Sequence, residues 1–202
     1  MRPASNFDHI ASNIAMWHAH DSAVKAELYS SCLTTVSRTY LVDPILLRRE
    51  ALDEMIGSGP VAGIVLTNSN HHRAAAQFAE QLSVAIVAHA HTFPNDQPSR
   101  LTTIADGHEI CDQLRVIAIE GAAPGEIVLH YAANGGTLIL GDALINFEPH
   151  GFAFLPAKYC SDQTEMRCSL PKTLGPRSRA NSFCAWHADF VPGEPTVGGS
   201  AH

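Results

Sequence analysis

Two apolar runs on either side of a short helix constrain this chain more than any other feature. Residues 61–67, "VAGIVLT", and residues 83–90, "SVAIVAHA", are almost continuously apolar, which is typical of strands buried on both faces. Between them, residues 73–81 have the spacing of a helix. A strand, a helix and a second strand of this length predict a parallel pair joined by a right-handed crossover. We therefore expect a buried, partly parallel sheet with helices outside it.

The flanking segments add strands and complete the predicted fold class. Residues 24–34 and 37–43 predict two strands, and the second ends at Asp43 because the residue before a proline avoids the helical region. Residues 45–59 predict a short helix that ends at glycines. Further along the chain, "LRVIAIE", "GEIVLHYA" and "GTLILGDALI" predict three more strands, with "AANGGT" as a hairpin turn between the last two. This order predicts an α/β fold with large mixed sheets and outer helices.

Composition excludes several classes of partner. Hydrophobic residues make up 46% of the 202 residues and charged residues 16%, which is globular composition, and the formal net charge is -7. An acidic chain without a basic run is not expected to bind nucleic acid or a membrane surface. The N-terminus lacks an apolar signal segment, so we expect a cytoplasmic protein. The five cysteines form no C-x-x-C pair and are expected to be reduced.

The most distinctive polar segment is the turn "NSNHHR" at residues 68–73. It follows a buried strand and places several hydrogen-bonding side chains together, so we predict Asn68, Asn70, His71 and Arg73 as ligand-binding residues. The ligand would be a small molecule, and Arg73 favours an anionic one through bidentate donation to a carboxylate or phosphate. A purely structural hydrogen-bond network is the alternative. No G-x-S-x-G, P-loop or G-x-G-x-x-G motif supports a serine hydrolase or a nucleotide-binding protein.

Two histidine pairs stand outside this turn. His18 and His20 alternate on a predicted strand, and His89 and His91 do the same after the second apolar run. Alternation in a strand puts both side chains of a pair on one face. Each pair therefore has the spacing of metal ligands, although histidines at strand ends are usually ordinary surface residues.

Four segments in this order resemble the metallo-β-lactamase fold. "TYLVDP" resembles its early strand that ends in Asp, and "GIVLTNSNHHR" resembles its strand followed by a histidine-rich motif. "AIEGAAPGEIVLHY" resembles the G-H-T-P-G segment and the following strand, and "NGGTLILGDALI" resembles the strand that carries the metal-bridging Asp. The resemblance covers residues 25–147. It implies an αββα sandwich of two mixed β-sheets with outer helices, here over residues 1–172, with an irregular tail over residues 173–202.

The resemblance also implies a metal site that this chain has largely lost. At the four ligand positions of the family's H-x-H-x-D-H motif stand Asn68, Asn70, His72 and Arg73. Arginine cannot release its proton and so cannot ligate a metal. A later histidine position holds Ala, inside "GAAPG", while the bridging carboxylate is retained as Asp142. His72 and Asp142 are thus the predicted remaining metal ligands, which is fewer than the usual three of a hydrolytic zinc site.

Two functional interpretations follow and remain open at this point. In the first, the protein has no cofactor, is non-catalytic or binds an altered small molecule, and Arg73 fills the metal's space by pairing with Asp142. In the second, it is a metal-dependent hydrolase of an ester, thioester or lactam. Zinc, iron or manganese would then be held by His72, Asp142 and a third donor such as Asn70 or His71, and would activate water. The sequence assigns no catalytic residue and no oligomeric state.

The C-terminal segment suggests a reading-frame error. The family's last ligand is a late histidine followed by glycine, and no such segment stands in this chain. If the frame shifts by one nucleotide from about residue 173, the codons of "RANSFCAWHADFVPG" permit "ERILFAHGTPILSRA", a strand that ends in His-Gly. Resequencing the gene tests this hypothesis. If the chain is made as written, one edge of the second sheet is expected to be left bare.

Overall fold

The larger of two packed sheets contains the first seven strands in chain order. The computed structural model describes residues 2–57, 59–147, 151–174 and 182–184. From β1 to β4 each strand pairs antiparallel with the next, and from β4 to β7 each strand pairs parallel with the next. Their bounds are β1 Asp8–Ala11, β2 Ile14–Asp21, β3 Ala26–Thr34, β4 Thr39–Val42, β5 Val61–Leu66, β6 Ala85–His89 and β7 Leu101–Ile104.

The second sheet is a smaller, mostly antiparallel meander. Its order is β14-β11-β10-β9-β8, in which only the β11–β14 pair is parallel among the described strands. A separate two-stranded ribbon, β12–β13, follows β11 in the chain. The bounds are β8 Glu109–Cys111, β9 Leu114–Ala118, β10 Ile127–Tyr131, β11 Thr137–Ile139, β12 Leu144–Phe147, β13 Gly151–Phe154 and β14 Ser182–Cys184.

Three apolar layers hold the sheets and helices together. Helices α1 (Arg49–Ile56) and α2 (Ala75–Leu82) cover the outer face of the first sheet, where Trp17 is fully buried. Helix α3 (Gln163–Ser169) covers the outer face of the second sheet through Met166. The layer between the sheets is built from both, with Tyr40, Val42, Val65 and Val87 facing Val116, Ile127, Leu129 and Ile139. This arrangement confirms the predicted αββα sandwich. None of the described helices is long and apolar enough to cross a bilayer.

Most of the predicted elements are confirmed, and one is corrected. The strand–helix–strand unit is β5–α2–β6, and its strands are parallel. The prediction of one strand over "GTLILGDALI" is wrong, because the chain leaves the second sheet after Ile139 and starts β12 at Leu144. The break has a polar cause: the Ala143 amide donates to a side-chain oxygen of Glu126 instead of to a neighbouring strand.

The predicted tail contains one described strand. Residues 182–184 form β14, which pairs with the edge of β11 from Thr137 to Ile139. The expectation that this edge is bare is therefore wrong. Residues 175–181 and 185–202 lie outside the described residues, so the domain division at residue 172 and the frameshift both stay predictions.

Candidate functional site

The site lies where the ends of four strands from both sheets meet. Asp43 directly follows β4, and Thr67 directly follows β5. From the second sheet, Glu126 directly precedes β10, and Asp142 follows β11. The amide of Ile127 donates to the carbonyl of Thr67 over 2.8 Å and so links the two sheets at this point. Parallel strands β4 and β5 present their carboxyl ends at one edge, where ligand sites of α/β sheets commonly lie.

The imidazole of His71 is held between two carboxylates. Residues Ser69–His71 form one short 3-10 turn, which the side chain of Asn68 caps by accepting from the amide of Asn70. The turn places His71 Nδ1 2.9 Å from Asp43 Oδ2, and His71 Nε2 3.1 Å from Asp142 Oδ1. The Asp43 carboxylate is 1% exposed and that of Asp142 27%, so the ring spans from the interior to the surface.

The contacts of Thr67 indicate that His71 is protonated. The Thr67 hydroxyl donates to Asp43 Oδ2 over 2.6 Å, so its proton is not directed at His71 Nδ1, which lies 2.9 Å away. Both ring nitrogens then act as donors to carboxylates, which describes an imidazolium. Burial and the charge of Arg73 oppose this state, but the carboxylates of Asp142 and Asp43 outweigh them and raise the pKa of His71 to about 9.

The buried carboxyl group of Glu126 lies beside the contacts of His71 with Asp43 and Asp142. Asn68 donates through Nδ2 to Glu126 Oε2 over 2.8 Å and, less closely, to Asp142 Oδ2 over 3.3 Å. Burial and the neighbouring charge of Asp142 raise the pKa of Glu126 to about 8. Although burial opposes it, the charge of His71 holds the pKa of Asp142 well below its usual range. The two neighbouring carboxyl groups are therefore shifted in opposite directions, so that Asp142 is the one that holds the charge and Glu126 keeps its proton to a higher pH than usual.

Arg73 does not pair with Asp142, and that hypothesis is corrected. Its Nη1 donates to the backbone carbonyls of Tyr29 over 2.6 Å and of Asp43 over 3.2 Å. Among the described residues, the cation that contacts Asp142 is His71. Arg73 also has a φ of +36°, a left-handed conformation that is uncommon for a residue with a long side chain. The guanidinium lies against the carbonyl of Tyr29 on β3.

His72 lies outside the group that surrounds Asp142. Its Nε2 donates to the carbonyl of Thr92 over 2.9 Å, and its ring stacks on Phe93 with centroids 4.3 Å apart. Of the six predicted site residues, the structure thus brings Asn68, Asn70 and His71 together with Asp142, and it places Arg73 and His72 against other partners.

The donors at this site do not fit a hydrolytic metal ion. A metal-binding imidazole must offer an unprotonated nitrogen, yet both nitrogens of His71 donate to carboxylates. His72 can keep Nδ1 unprotonated, but its ring contacts Thr92 and Phe93 and makes no hydrogen bond with the described residues around Asp142. Asn68 and Asn70 are poor ligands for zinc. Within the part of the chain that the structure describes, no three His, Cys, Asp or Glu side chains are already arranged around a common metal position.

Three members of the site were not predicted as site residues. Asp43, Thr67 and Glu126 are buried polar residues at the ends of apolar strands. Such residues must find buried partners, and this was the available signal, most clearly for Asp43 at the end of "TYLVD". Its partners stand 24 and 28 positions away, so the sequence alone does not identify them.

Gly141 is expected to tolerate no larger residue. A Cβ at this position would lie 2.6 Å from Glu126 Oε1, 2.8 Å from Thr67 Oγ1 and 3.0 Å from Asn68 Nδ2. Gly141→Ala should therefore displace the buried polar group and lower the free energy of unfolding by about 1–3 kcal/mol, as measured by urea denaturation. The matched control is Gly59→Ala, whose Cβ would meet nothing closer than 3.7 Å. Equal stability of the two variants would show that the group is loosely packed.

Solved structures of similar fold are numerous, at low sequence identity. A metallo-beta-lactamase from Pontibacter korlensis has a TM-score of 0.68 and 14% identity, over 88% of each chain. TTHA1429, a metallo-beta-lactamase family protein from Thermus thermophilus, has a TM-score of 0.63 and 18% identity, over 91% of this chain and 75% of that one. TTHA1623, solved in a di-iron-bound form, has a TM-score of 0.59 and 18% identity, over 79% of this chain and 86% of that one. These likenesses concern the fold.

The family of the chain is identified by a match at the level of sequence. No curated protein matches the chain. A family model described as "Metallo-beta-lactamase superfamily" matches residues 10–175, which include strands β2 to β13 and all three helices. The match spans well over half of the 202 residues and contains every residue of the site described above. The chain therefore belongs to the metallo-β-lactamase superfamily.

Proposed function

We propose that this protein is a metal-independent, small-molecule-binding member of the superfamily. The observation that supports the proposal is the position of His71, whose two ring nitrogens contact the carboxylates of Asp43 and Asp142. The imidazolium supplies the positive charge that a metal ion would supply to these carboxylates. In this role it stabilises the loops that form the site, and it performs no step of hydrolysis.

The charges of the site favour a polar ligand with hydrogen-bond donors over an anion. The imidazolium of His71 contacts two carboxylates, and Arg73 donates to two backbone carbonyls. Both cations therefore already have partners within the protein. The accessible part of the site consists of the exposed Asn70 amide and the half-buried Asp142 carboxylate. From the described residues, Asp142 Oδ2 receives long hydrogen bonds of 3.3 and 3.5 Å. A hydroxyl or ammonium group of a ligand would satisfy this oxygen better. The anion expected from Arg73 has less support.

Metal content separates this proposal from the rival hydrolase. The protein is purified without a chelating tag, and zinc, iron and manganese are measured by mass spectrometry in the wild type and in Asp142→Ala. We expect no difference between the two proteins, because Asp142 already has His71 as its cation. Near-stoichiometric metal in the wild type that is lost in Asp142→Ala would overturn the proposal and support a metal-dependent hydrolase. Metal retained in Asp142→Ala would lie elsewhere on the chain.

Ligand class is tested by thermal denaturation with chemically defined probes. Neutral polyols and primary amines form one panel, and carboxylates and phosphates form the other. A ligand that binds the folded state raises the melting temperature. We expect the rise with the first panel and its loss in Asn70→Ala. A rise confined to the anions would contradict the assignment of the ligand class while leaving metal independence intact.

A further inference from the structure

An exposed histidine pair lies on β2, outside the site described above. His18 and His20 are two positions apart on the strand, so their side chains share a face. On the neighbouring strand β3, Glu27 is directly opposite His20, and Tyr29 is opposite His18. Glu27 therefore stands close to both imidazoles.

The geometry of these three side chains is that of a partly formed chelate. His18 Nδ1 lies 3.1 Å from one carboxylate oxygen of Glu27, and His20 Nδ1 lies 3.1 Å from the other. Two ligand atoms bound to one tetrahedral zinc ion at about 2.0–2.1 Å are themselves about 3.3–3.4 Å apart. The distances in the structure are close to this value. The ring of Tyr29 stacks on His18, with centroids 5.2 Å apart, and supports its orientation.

We propose that His18, His20 and Glu27 form a surface site for a divalent transition metal ion. Two imidazoles and one carboxylate are ligands that suit zinc, copper and nickel. The side chains of His18 and His20 are 53% and 59% exposed, so water has access to complete the coordination. This site is independent of the proposed function, because neither histidine belongs to the group around His71.

Metal binding requires a small rearrangement of these side chains. In the structure the rings are hydrogen-bonded to the carboxylate and are not yet arranged around a common metal position. A metal ion would replace the Nδ1 protons, and each neutral ring would carry its remaining proton on Nε2. Because the side chains are exposed, they can rotate the short distance toward the ion without disturbing a packed core.

Calorimetric titration with Zn²⁺ tests the site on the untagged full chain after removal of metals by a chelator. We expect the wild type to bind about one ion, and His18→Ala, His20→Ala or Glu27→Gln to weaken the affinity at least about tenfold, since loss of even an outer-shell partner costs about 10–100-fold. The matched control is His108→Ala, which removes an exposed histidine just before β8 of the second sheet. A second control is Asp142→Ala, and both controls should bind zinc as the wild type does.

The contrary outcomes are distinct. No binding by the wild type, or equal binding by His20→Ala, would overturn the surface site. Binding lost in Asp142→Ala but kept in His20→Ala would overturn it as well, and would in addition contradict the proposed metal independence of the central site. Binding lost in His20→Ala and kept in Asp142→Ala would support the surface site and leave the proposed function unaffected.

Discussion

Asp43→Asn is expected to lower the free energy of unfolding by about 3–5 kcal/mol, which is the usual cost of removing one partner of a buried ion pair. The carboxylate of Asp43 accepts hydrogen bonds from the Thr67 amide over 2.8 Å, from the Thr67 hydroxyl over 2.6 Å and from His71 Nδ1 over 2.9 Å. In the variant an amide NH₂ would face one of these donors, and His71 would lose the charge of its buried partner.

Asparagine is the informative substitution because of the backbone at this position. Asp43 has a φ of +48°, a region that Asn tolerates better than most residues. The substitution therefore tests the carboxylate and not the turn. Stability is measured by urea denaturation, with Asp53→Asn as the control, since Asp53 forms an exposed pair with Arg49 and such pairs contribute little. If Asp43→Asn lowered the free energy of unfolding no more than the control does, the buried ion pair between Asp43 and His71 would be contradicted.

The second large effect concerns pH: the metal-free protein should lose stability as the pH rises from about 6 to about 9, through the folded pKa of His71. That pKa is about 9, against an ordinary value of 6.5. The contribution of His71 is fully present below pH 6.5 and is lost as pH rises through 9, because the folded state holds a proton that the unfolded chain has released. A difference of this size corresponds to about 3 kcal/mol.

Glu126 adds to the same trend. Its folded pKa of about 8 exceeds the ordinary value of 4.5, so the unfolded chain ionises first and stability falls between these two pH values. Asp142 acts in the opposite direction at acid pH. The pKa of this group is lowered in the folded state from its ordinary value of 3.8, so its contribution is present above that pH and is lost as the solution becomes more acidic. Maximum stability is therefore expected in mildly acidic solution.

Urea midpoints at several pH values measure this dependence. In His71→Gln the loss of stability above pH 6.5 should be smaller, because the titrating ring is absent, while the part that comes from Glu126 remains. Identical pH profiles for the wild type and His71→Gln would contradict the assignment of a buried imidazolium. A wild type that becomes more stable over the same rise in pH would contradict both raised pKa values.

Local pattern predicted the layers of this fold but not the contacts of its site. The strands β5 and β6 were predictable because continuous apolar runs have few alternatives to burial in a sheet. Strand β1 was not, since all four of its residues are exposed and provide no apolar alternation. His71 was predicted as a ligand-binding residue from its turn, yet its partners Asp43 and Asp142 are 28 and 71 positions away.

The position of Arg73 shows why such contacts escape prediction. Its charge suggested a partner among the carboxylates, and Asp142 was the obvious one at an inherited position. The structure instead satisfies the guanidinium with backbone carbonyls, which any residue can supply and which no sequence pattern marks. Arg73 also has a left-handed backbone, which the local sequence does not predict for a residue with a long side chain.

The hydrogen bond between the Ile127 amide and the Thr67 carbonyl has a consequence for how the molecule opens. It crosses from one sheet to the other beside the buried ring of His71, so the two halves of the sandwich cannot separate without disrupting the polar cluster. Amide hydrogens at this junction should then exchange with solvent as slowly as those of the central strands, in a single cooperative event. The polar cluster therefore connects two sheets whose other contacts are mainly between apolar side chains.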